Sequence, residues 1–513
     1  TSGTLDQGVS YDVHSNYQGW FIQDDWRVTQ NLTLNLGLRY ELEPAVREEF
    51  GKIVTGYNAT VANPLGPAAS ANYNANVPVG IPATAFQNLV GGLIFADSGD
   101  APQQKMDVNN IQPRIGASYS LNSKTVIRGG FGIFTAPFQL SGITASLVQT
   151  GFTPSTTFLA SSDNGLTFTG TLNNPFPGGL NPATGSSLGL VTAVGSTLGS
   201  VGGTGPTAAV LPNGRRKNGN SARAILGVQR ELPGQIGFEA TVVYSHGYDL
   251  PVLRQLNYVP TQYLNNLTGV TDFTTISNAI SAASTFLTTT VANPFRGLVP
   301  TNSTWNGSTL ARYRLLTANP QFQDLVTTEY NGTSDYASLQ LQAVKRYSKG
   351  LSLNATYTFA YDHEKTRRLN PQDLELSDSI STNSRPHRFT FSGIYELPFG
   401  KNRSFGSKWN SWVDGFHGGW QLQAIYERQS GEPLVLPNVY YNGDPSKLKN
   451  KLGQYDDQGR RYGVDIPAFD TAGFFLTNPT TGALTVPAFG GNYATSSQNV
   501  LRYMPYVLNN FRN

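Results

Sequence analysis

The stretch NLTLNLGLRYEL, residues 31–42, alternates apolar and polar positions without a break. Leu32, Leu34, Leu36, Leu38, Tyr40 and Leu42 fall on one face of a strand, and Asn31, Thr33, Asn35, Gly37, Arg39 and Glu41 fall on the other. A period of two over this length specifies a strand with one apolar and one polar face. On its own it fits a one-sided soluble sheet as well as a membrane-spanning wall, so the surrounding chain has to decide.

Upstream, YQGWFIQDDWRV (17–28) places Trp20, Ile22, Trp26 and Val28 on one face, and only Thr29 and Gln30 separate the two runs, which reads as a hairpin. The unit recurs at 111–134, where Ile111, Ile115, Ala117 and Tyr119 are answered across an NSK turn by Ile127, Phe131 and Ile133. It recurs at 221–245, with Ala222, Ala224, Leu226 and Val228 facing Ile236, Phe238, Ala240, Val242 and Tyr244; Ile225 and Val243 interrupt the polar face. At 335–361, Ala337, Leu339, Leu341 and Ala343 lead through YSKG to Leu351, Leu353, Ala355, Tyr357, Phe359 and Tyr361. A fifth unit joins HRFTFSGIYELPFG (387–400) to GWQLQAIYERQSG (419–431) through a longer connection, with Ile394 and Ile425 as exceptions on its polar face. Partial strands are expected near 433–436 and 499–507.

The segments 43–110, 136–220, 246–333 and 362–384 separate these hairpins, whereas most turns inside them have two to four residues. Structureless connections beyond ~15 residues are uncommon in compact domains. Outer-membrane barrels combine short periplasmic turns, long extracellular loops and strands of about ten residues. The expected fold class is therefore all-β, an antiparallel transmembrane β-barrel, with the leucine face of 31–42 towards lipid and its polar face towards a wet or plugged lumen. Trp20, Trp26, Tyr40, Tyr357, Phe359, Tyr361, Trp420 and Tyr426 suit interfacial girdles, although aromatics favour strands in any case.

Composition narrows the function. Charged residues make up 13% of the 513, net charge is +3 and the basic residues are scattered, which argues against nucleic acid as a partner. The chain has no cysteine, which excludes disulfides, thiolate metal sites and cysteine nucleophiles. No apolar run reaches the ~18 residues of a spanning helix, and no signal peptide opens the chain. There is no H-E-x-x-H and no P-loop, so neither an enzyme nor a cofactor is expected. The histidines lie apart at 14, 246, 363, 387 and 417; His363 with Glu364 in YDHEKTRR is a polar run better read as solvated than as metal ligands.

Alternation places Arg39, Glu41, Arg114, Arg128, Arg223, Glu239, Arg388, Glu396 and Glu427 on the lumen face, where they would pair with one another or a plug, or line a ligand path. From 129 to 214 the only charged residue is Asp163, and from 53 to 96 there is none. Such loops would pack on one another or on a neutral ligand, for which Tyr57, Tyr73, Phe86 and Phe152 are the candidate contacts.

YQGWFIQDDWRVTQNLTLNLGLRYELEP closely resembles the barrel segment of TonB-dependent outer-membrane receptors, in particular the Oar-like group with a carboxypeptidase-regulatory-like N-terminal domain. RPHRFTFSGIYELPFGKNRSF, GGWQLQAIYERQSGEPL and FDTAGF resemble later strands of that group, so the resemblance covers about 17–474. It implies a plugged barrel of 22 strands, of which 1–513 would be the later part, with the plug, TonB box, early strands and last hairpin elsewhere. It also implies outer-membrane lipid, TonB with its inner-membrane motor complex, and a small-molecule, glycan or peptide ligand as partners. The uncharged loops lean towards a glycan or peptide. The alternative is a surface structural or adhesive protein without active transport.

Overall fold

The computed structural model describes most of residues 2–434, leaving aside 97–105, 137–150, 199–216, 264–277, 300–303 and some shorter runs, and beyond 434 only 454–461 and three two-residue strands. The expected strand near 499–507 and the FDTAGF motif lie outside the described residues.

Ten strands form one continuous antiparallel meander: β1 (Gln18–Arg27), β2 (Leu32–Glu43), β3 (Asp107–Asn122), β4 (Thr125–Thr135), β5 (Asn220–Leu232), β6 (Ile236–Gln255), β7 (Val326–Ser348), β8 (Leu351–Arg367), β9 (His387–Glu396) and β10 (Gln421–Gln429). Each pairs with its neighbours in sequence, and a short strand, Ser377–Ile380, adds to β8. The hairpins are the five expected. At the β7–β8 turn, Lys349 and Gly350 both have positive φ (51° and 78°), the conformation that matches a tight hairpin turn to strand twist.

The register aligns the alternation of separate strands into common rows. Leu34 lies between Trp26 and Ala117, and the row continues through Gly129, Leu226, Val242, Leu339 and Phe359. A shift of one residue anywhere would move a whole strand's apolar set to the wrong face. Ile22, Leu38, Ile115, Leu226 and Val242 remain substantially exposed, so this apolar face is open to its surroundings rather than packed as a core. Asp24 also stands on it, opposite Leu36, and nothing in the structure explains a carboxylate there. β2 has 12 residues; at ~3.3 Å per residue and a tilt of roughly 40° it rises about 28 Å, close to the ~25 Å apolar band of an outer-membrane barrel.

β6 and β7 run to 20 and 23 residues and continue well beyond that band. This corrects the sequence reading, which ended them near 246 and 333. The extension loses period-two alternation because both its faces are covered: Val252, Gln255, Val326, Thr327 and Thr328 are all buried. What covers it is a cap made from the three longest connections, with a hydrophobic core that includes Tyr57, Tyr73, Phe86 and Leu93 from the β2–β3 connection, Val194 and Leu198 from β4–β5, and Leu287, Phe295, Trp305, Phe322 and Leu325 from β6–β7. The uncharged loops therefore pack on one another.

Side-chain amides hold the loops together. Asn63 Nδ2 donates to the carbonyls of Gly91 (2.8 Å) and Leu190 (3.2 Å), Gln321 Nε2 to that of Val90 (2.7 Å) and Gln323 Nε2 to that of Gly195 (2.9 Å). Gly195, Ser196 and Leu198 also run beside 321–326 with backbone hydrogen bonds in both directions, Leu198 N to Asp324 O and Val326 N to Leu198 O, each 2.8 Å. A helix, α1 (Gly66–Ala75), buries Ala69 and Tyr73 in this core.

Candidate functional site

Tracing the register across the sheet puts all nine lumen candidates on the face opposite the apolar rows. Arg114 lies beside Gly37 and Gly132, and Gly132 beside Arg223; Arg128 lies beside Ser118 and Gly227; Glu239 beside Gln229; Arg388 beside Thr358; Glu427 beside Thr390; Glu396 beside Gln421.

Several of these charges are already matched. Arg39 Nε meets Glu41 Oε1 at 2.5 Å and its Nη2 donates to the Tyr17 hydroxyl at 2.8 Å. Arg388 meets Glu427 and Glu396 meets Arg403, both at 2.8 Å. The Thr241 hydroxyl donates to Glu239 (3.0 Å). Arg114, Arg128 and Arg223, on the adjacent strands β3, β4 and β5, form no ion pair with a carboxylate among the described residues, and all three are exposed. Arg114 and Arg223 bracket the Phe134 ring, their guanidinium carbons 4.7 and 5.9 Å from its centroid. Gly132 makes room for this: a Cβ there would meet the Phe134 ring at 3.2 Å and Arg114 Cγ at 3.4 Å. A cation over an aromatic face keeps most of its outward field, so this stripe can attract an anion.

The loop aromatics lie elsewhere than expected. Tyr57, Tyr73 and Phe86 are 4, 2 and 1% exposed and sit in the cap core, Tyr73 stacked on Phe86 at 4.7 Å and Phe86 against Phe295 at 5.5 Å. Phe152, half-buried, meets Phe95 edge-on at 6.0 Å. Burial raises the Tyr57 hydroxyl well above its ordinary pKa and pushes Tyr73 up to about 12. The Tyr57 hydroxyl donates to Asn319 Oδ1 (2.7 Å), which ties two loops together. These rings are committed to packing, and the expectation that they stack on a ligand is corrected accordingly.

His363 and Glu364 are adjacent on β8 and point to opposite faces; His363 Nδ1 meets Asp378 (3.1 Å) while Glu364 meets Arg367 (3.2 Å). Among the described residues no group of three or more His, Asp or Glu is placed to hold a metal ion.

The sequence reading missed one charged cluster. Above the apolar band, Glu329 of β7 accepts from Arg254 Nη1 of β6 (2.9 Å) and from Arg368 Nη2 just after β8 (2.6 Å). Burial disfavours the charged Glu329, but its two guanidinium hydrogen bonds prevail and hold its pKa below the usual carboxylate range. Arg254 Nε and Arg368 Nε and Nη1 are buried without a hydrogen-bond partner among the described residues. Arg254 and Glu329 fall in 246–333, read from sequence as one connection, and no local motif marks them.

The chain matches the family described as outer membrane beta barrel domain over residues 1–511. Among solved structures it is similar to the alcaligin outer-membrane receptor FauA from Bordetella pertussis (10% identity, 76% of this chain and 36% of that one, TM-score 0.29). It is similar also to the ferric-catecholate import receptor Fiu from E. coli K12 (10%, 88% and 43%, 0.31) and the pyoverdine receptor FpvA from Pseudomonas aeruginosa PAO1 (10%, 83% and 33%, 0.33). The chain thus spans between a third and about two fifths of the length of these receptors. No curated protein matches its sequence. A family match over almost the whole length, on an antiparallel meander with one open apolar face, establishes that the chain belongs to the outer-membrane β-barrel family and resides in the outer membrane.

Proposed function

We propose that the chain is the later barrel part of a TonB-dependent receptor that takes up a scarce anionic solute. The observation carrying the ligand class is the stripe of Arg114, Arg128 and Arg223, three exposed cations on neighbouring strands with no carboxylate in ion-pair distance among the described residues. The lean towards a glycan or peptide rested on the uncharged loops, with Tyr57, Tyr73, Phe86 and Phe152 as contacts; the burial of Tyr57, Tyr73 and Phe86 in the cap core and the packing of Phe152 on Phe95 weaken it. Transport coupled to TonB, through a plug carried outside this chain, is what the resemblance of 17–44, 385–405 and 418–434 to such receptors implies. In this reading the cap shields the entrance, the solute settles against the arginine stripe and the plug, and pulling by TonB releases it inward. Ferric siderophores, as anionic chelates, are the first solutes to try.

Calorimetric titration of the full receptor with ferric siderophores and with neutral oligosaccharides, at low and high salt, tests this. The expected result is salt-sensitive binding of an anionic chelate that weakens about tenfold when Arg114 and Arg223 are both changed to Gln, since each exposed charge contact contributes up to ~1 kcal/mol. Salt-independent binding of a neutral saccharide, indifferent to both changes, would overturn it. Binding of none of these solutes, with their uptake unchanged in cells lacking the receptor, would favour the adhesive or structural alternative.

A further inference from the structure

The connection between β9 and β10, residues 397–420, differs from the other four turns at its end of the sheet: it is long and it carries exposed aromatics. It contains a helix of seven residues, α2 (Ser411–His417), which buries none of its residues. A helix this short is not held by its own propensity. It is held by specific bonds: the Asn410 side chain accepts from Val413 N (2.9 Å), Asp414 Oδ1 accepts from Lys401 N (2.7 Å), Lys401 Nζ donates to Ser411 Oγ (3.0 Å), and the Trp409 ring meets His417 edge-on. The result of this ordering is to present Trp412 and Phe416 outward, 81 and 70% exposed and one turn apart, with Trp420 following at 59%. The Trp420 indole donates to the Phe416 carbonyl (2.9 Å), which locks the helix to the start of β10.

Trp420 is the link to a known surface. It stands two residues before Leu422, on the row that continues through Ala424 and Tyr426, which is the apolar face of a sheet that resides in the outer membrane. The stripe Trp412, Phe416, Trp420 therefore prolongs the lipid-facing row past the end of the strand. The exposed cations Lys401 and Lys408 lie on the same segment. Tryptophan with its N–H at the polar boundary, apolar rings beside it and lysines around them is the combination that settles at a headgroup layer. The end bearing the short turns is the periplasmic end of such barrels, where the leaflet is phospholipid.

We propose that residues 397–420 form an interfacial foot, with Trp412 and Phe416 inserted among the headgroups of the periplasmic leaflet and Lys401 and Lys408 meeting anionic phospholipid. The inference rests on membrane residence and is independent of the solute. To test it, the full receptor is reconstituted in vesicles of phosphatidylethanolamine and phosphatidylglycerol with acyl chains brominated just below the headgroup or near the chain end. The contributions of Trp412 and Trp26 are isolated by comparison with W412F and W26F. The expected result is that Trp412 is quenched by the shallow bromines more than by the deep ones, and that this quenching falls when Lys408, which is not among the bonds that hold α2, is changed to Gln. If Trp26 is quenched by lipid while Trp412 is reached only by aqueous acrylamide, the foot is wrong and the barrel stands. If Trp412 is shielded from both, a protein segment covers it and the lipid assignment is equally overturned. If neither tryptophan is quenched by lipid, the outward face itself has been misassigned and the foot falls with it.

Discussion

Leu38 is the position at which the assignment of the two faces can be tested most sharply. It lies near the middle of the 12-residue β2, on the apolar face, between Ile22 and Pro113 in the register, and it is 47% exposed. In a barrel that exposure is contact with lipid near the midplane, where an arginine costs about 2–4 kcal/mol, or roughly a 30- to 700-fold fall in the ratio of folded to unfolded protein. Leu38→Arg should therefore shift urea unfolding of the full receptor in vesicles by that amount. Asn35→Arg, on the opposite face of the same strand, is the matched control. Asn35 already donates to Asp25 Oδ1 (2.5 Å), so an arginine there faces a carboxylate and water and should cost less than about 1 kcal/mol. Equal damage at both positions, or a harmless Leu38→Arg, would mean that the exposed apolar face does not meet lipid.

Three further outcomes are expected. Trp305 is 2% exposed in the cap core, so Trp305→Ala should cost the cap about 3–5 kcal/mol and make its loops open to protease while the barrel stays resistant to unfolding, read by limited proteolysis and gel mobility. Glu329 has its pKa lowered in the folded state, so its contribution is complete above the unfolded carboxylate value of ~4.3 and is lost as pH falls through the folded value; hydrogen exchange around Arg254 and Arg368 should rise in acid, and Glu329→Gln should abolish that dependence. On intact cells, protease should reach 246–333 sooner than the turn at Lys349, and cleavage at Lys349 with the cap spared would invert the orientation.

Wherever the chain alternates with period two, the strands, their faces and their pairing order were legible in the sequence, because one wet face and one apolar face impose the pattern on every hairpin. Parity alone places Arg114 and Arg223 opposite the apolar rows, where the register also has them. Their convergence on Phe134 was not visible, since it needs three strands in register and a glycine at 132. The outer halves of β6 and β7 were hidden for the opposite reason: once loops cover both faces, alternation no longer distinguishes inside from outside. Tyr57, Tyr73 and Phe86 were misjudged because a core built from irregular loops has no period, so an aromatic in a polar segment reads the same whether it faces a ligand or another loop.

The near-absence of charge in 53–96 and 129–214 has a physical explanation that can be tested on an amide of the neighbouring connection, with which they share the cap. A core assembled from connections has few ladders to satisfy its backbone carbonyls, yet each buried carbonyl needs a donor. A lysine or arginine would supply one at the cost of burying a charge, whereas a side-chain amide supplies two donors and an acceptor without charge. Asn257 does this fully. It is 0% exposed, its Nδ2 donates to the carbonyls of Asn319 (3.0 Å) and Phe322 (2.8 Å), and its Oδ1 accepts from Asn319 N (2.8 Å). Asn257→Asp keeps the shape and the acceptor and replaces the donor by a second oxygen aimed at two carbonyls. Above the carboxylate pKa it buries an unpaired charge, which costs about 3–5 kcal/mol. In acid the protonated group can donate one of the two lost bonds, so the variant should be partly rescued as pH falls. Hydrogen exchange of residues 256–263 and 315–325 in the full receptor would show this as protection lost at neutral pH and partly regained near pH ~4. Unchanged protection at neutral pH would mean that these amides are incidental to the cap, and that the near-absence of charge in 53–96 and 129–214 has some other cause.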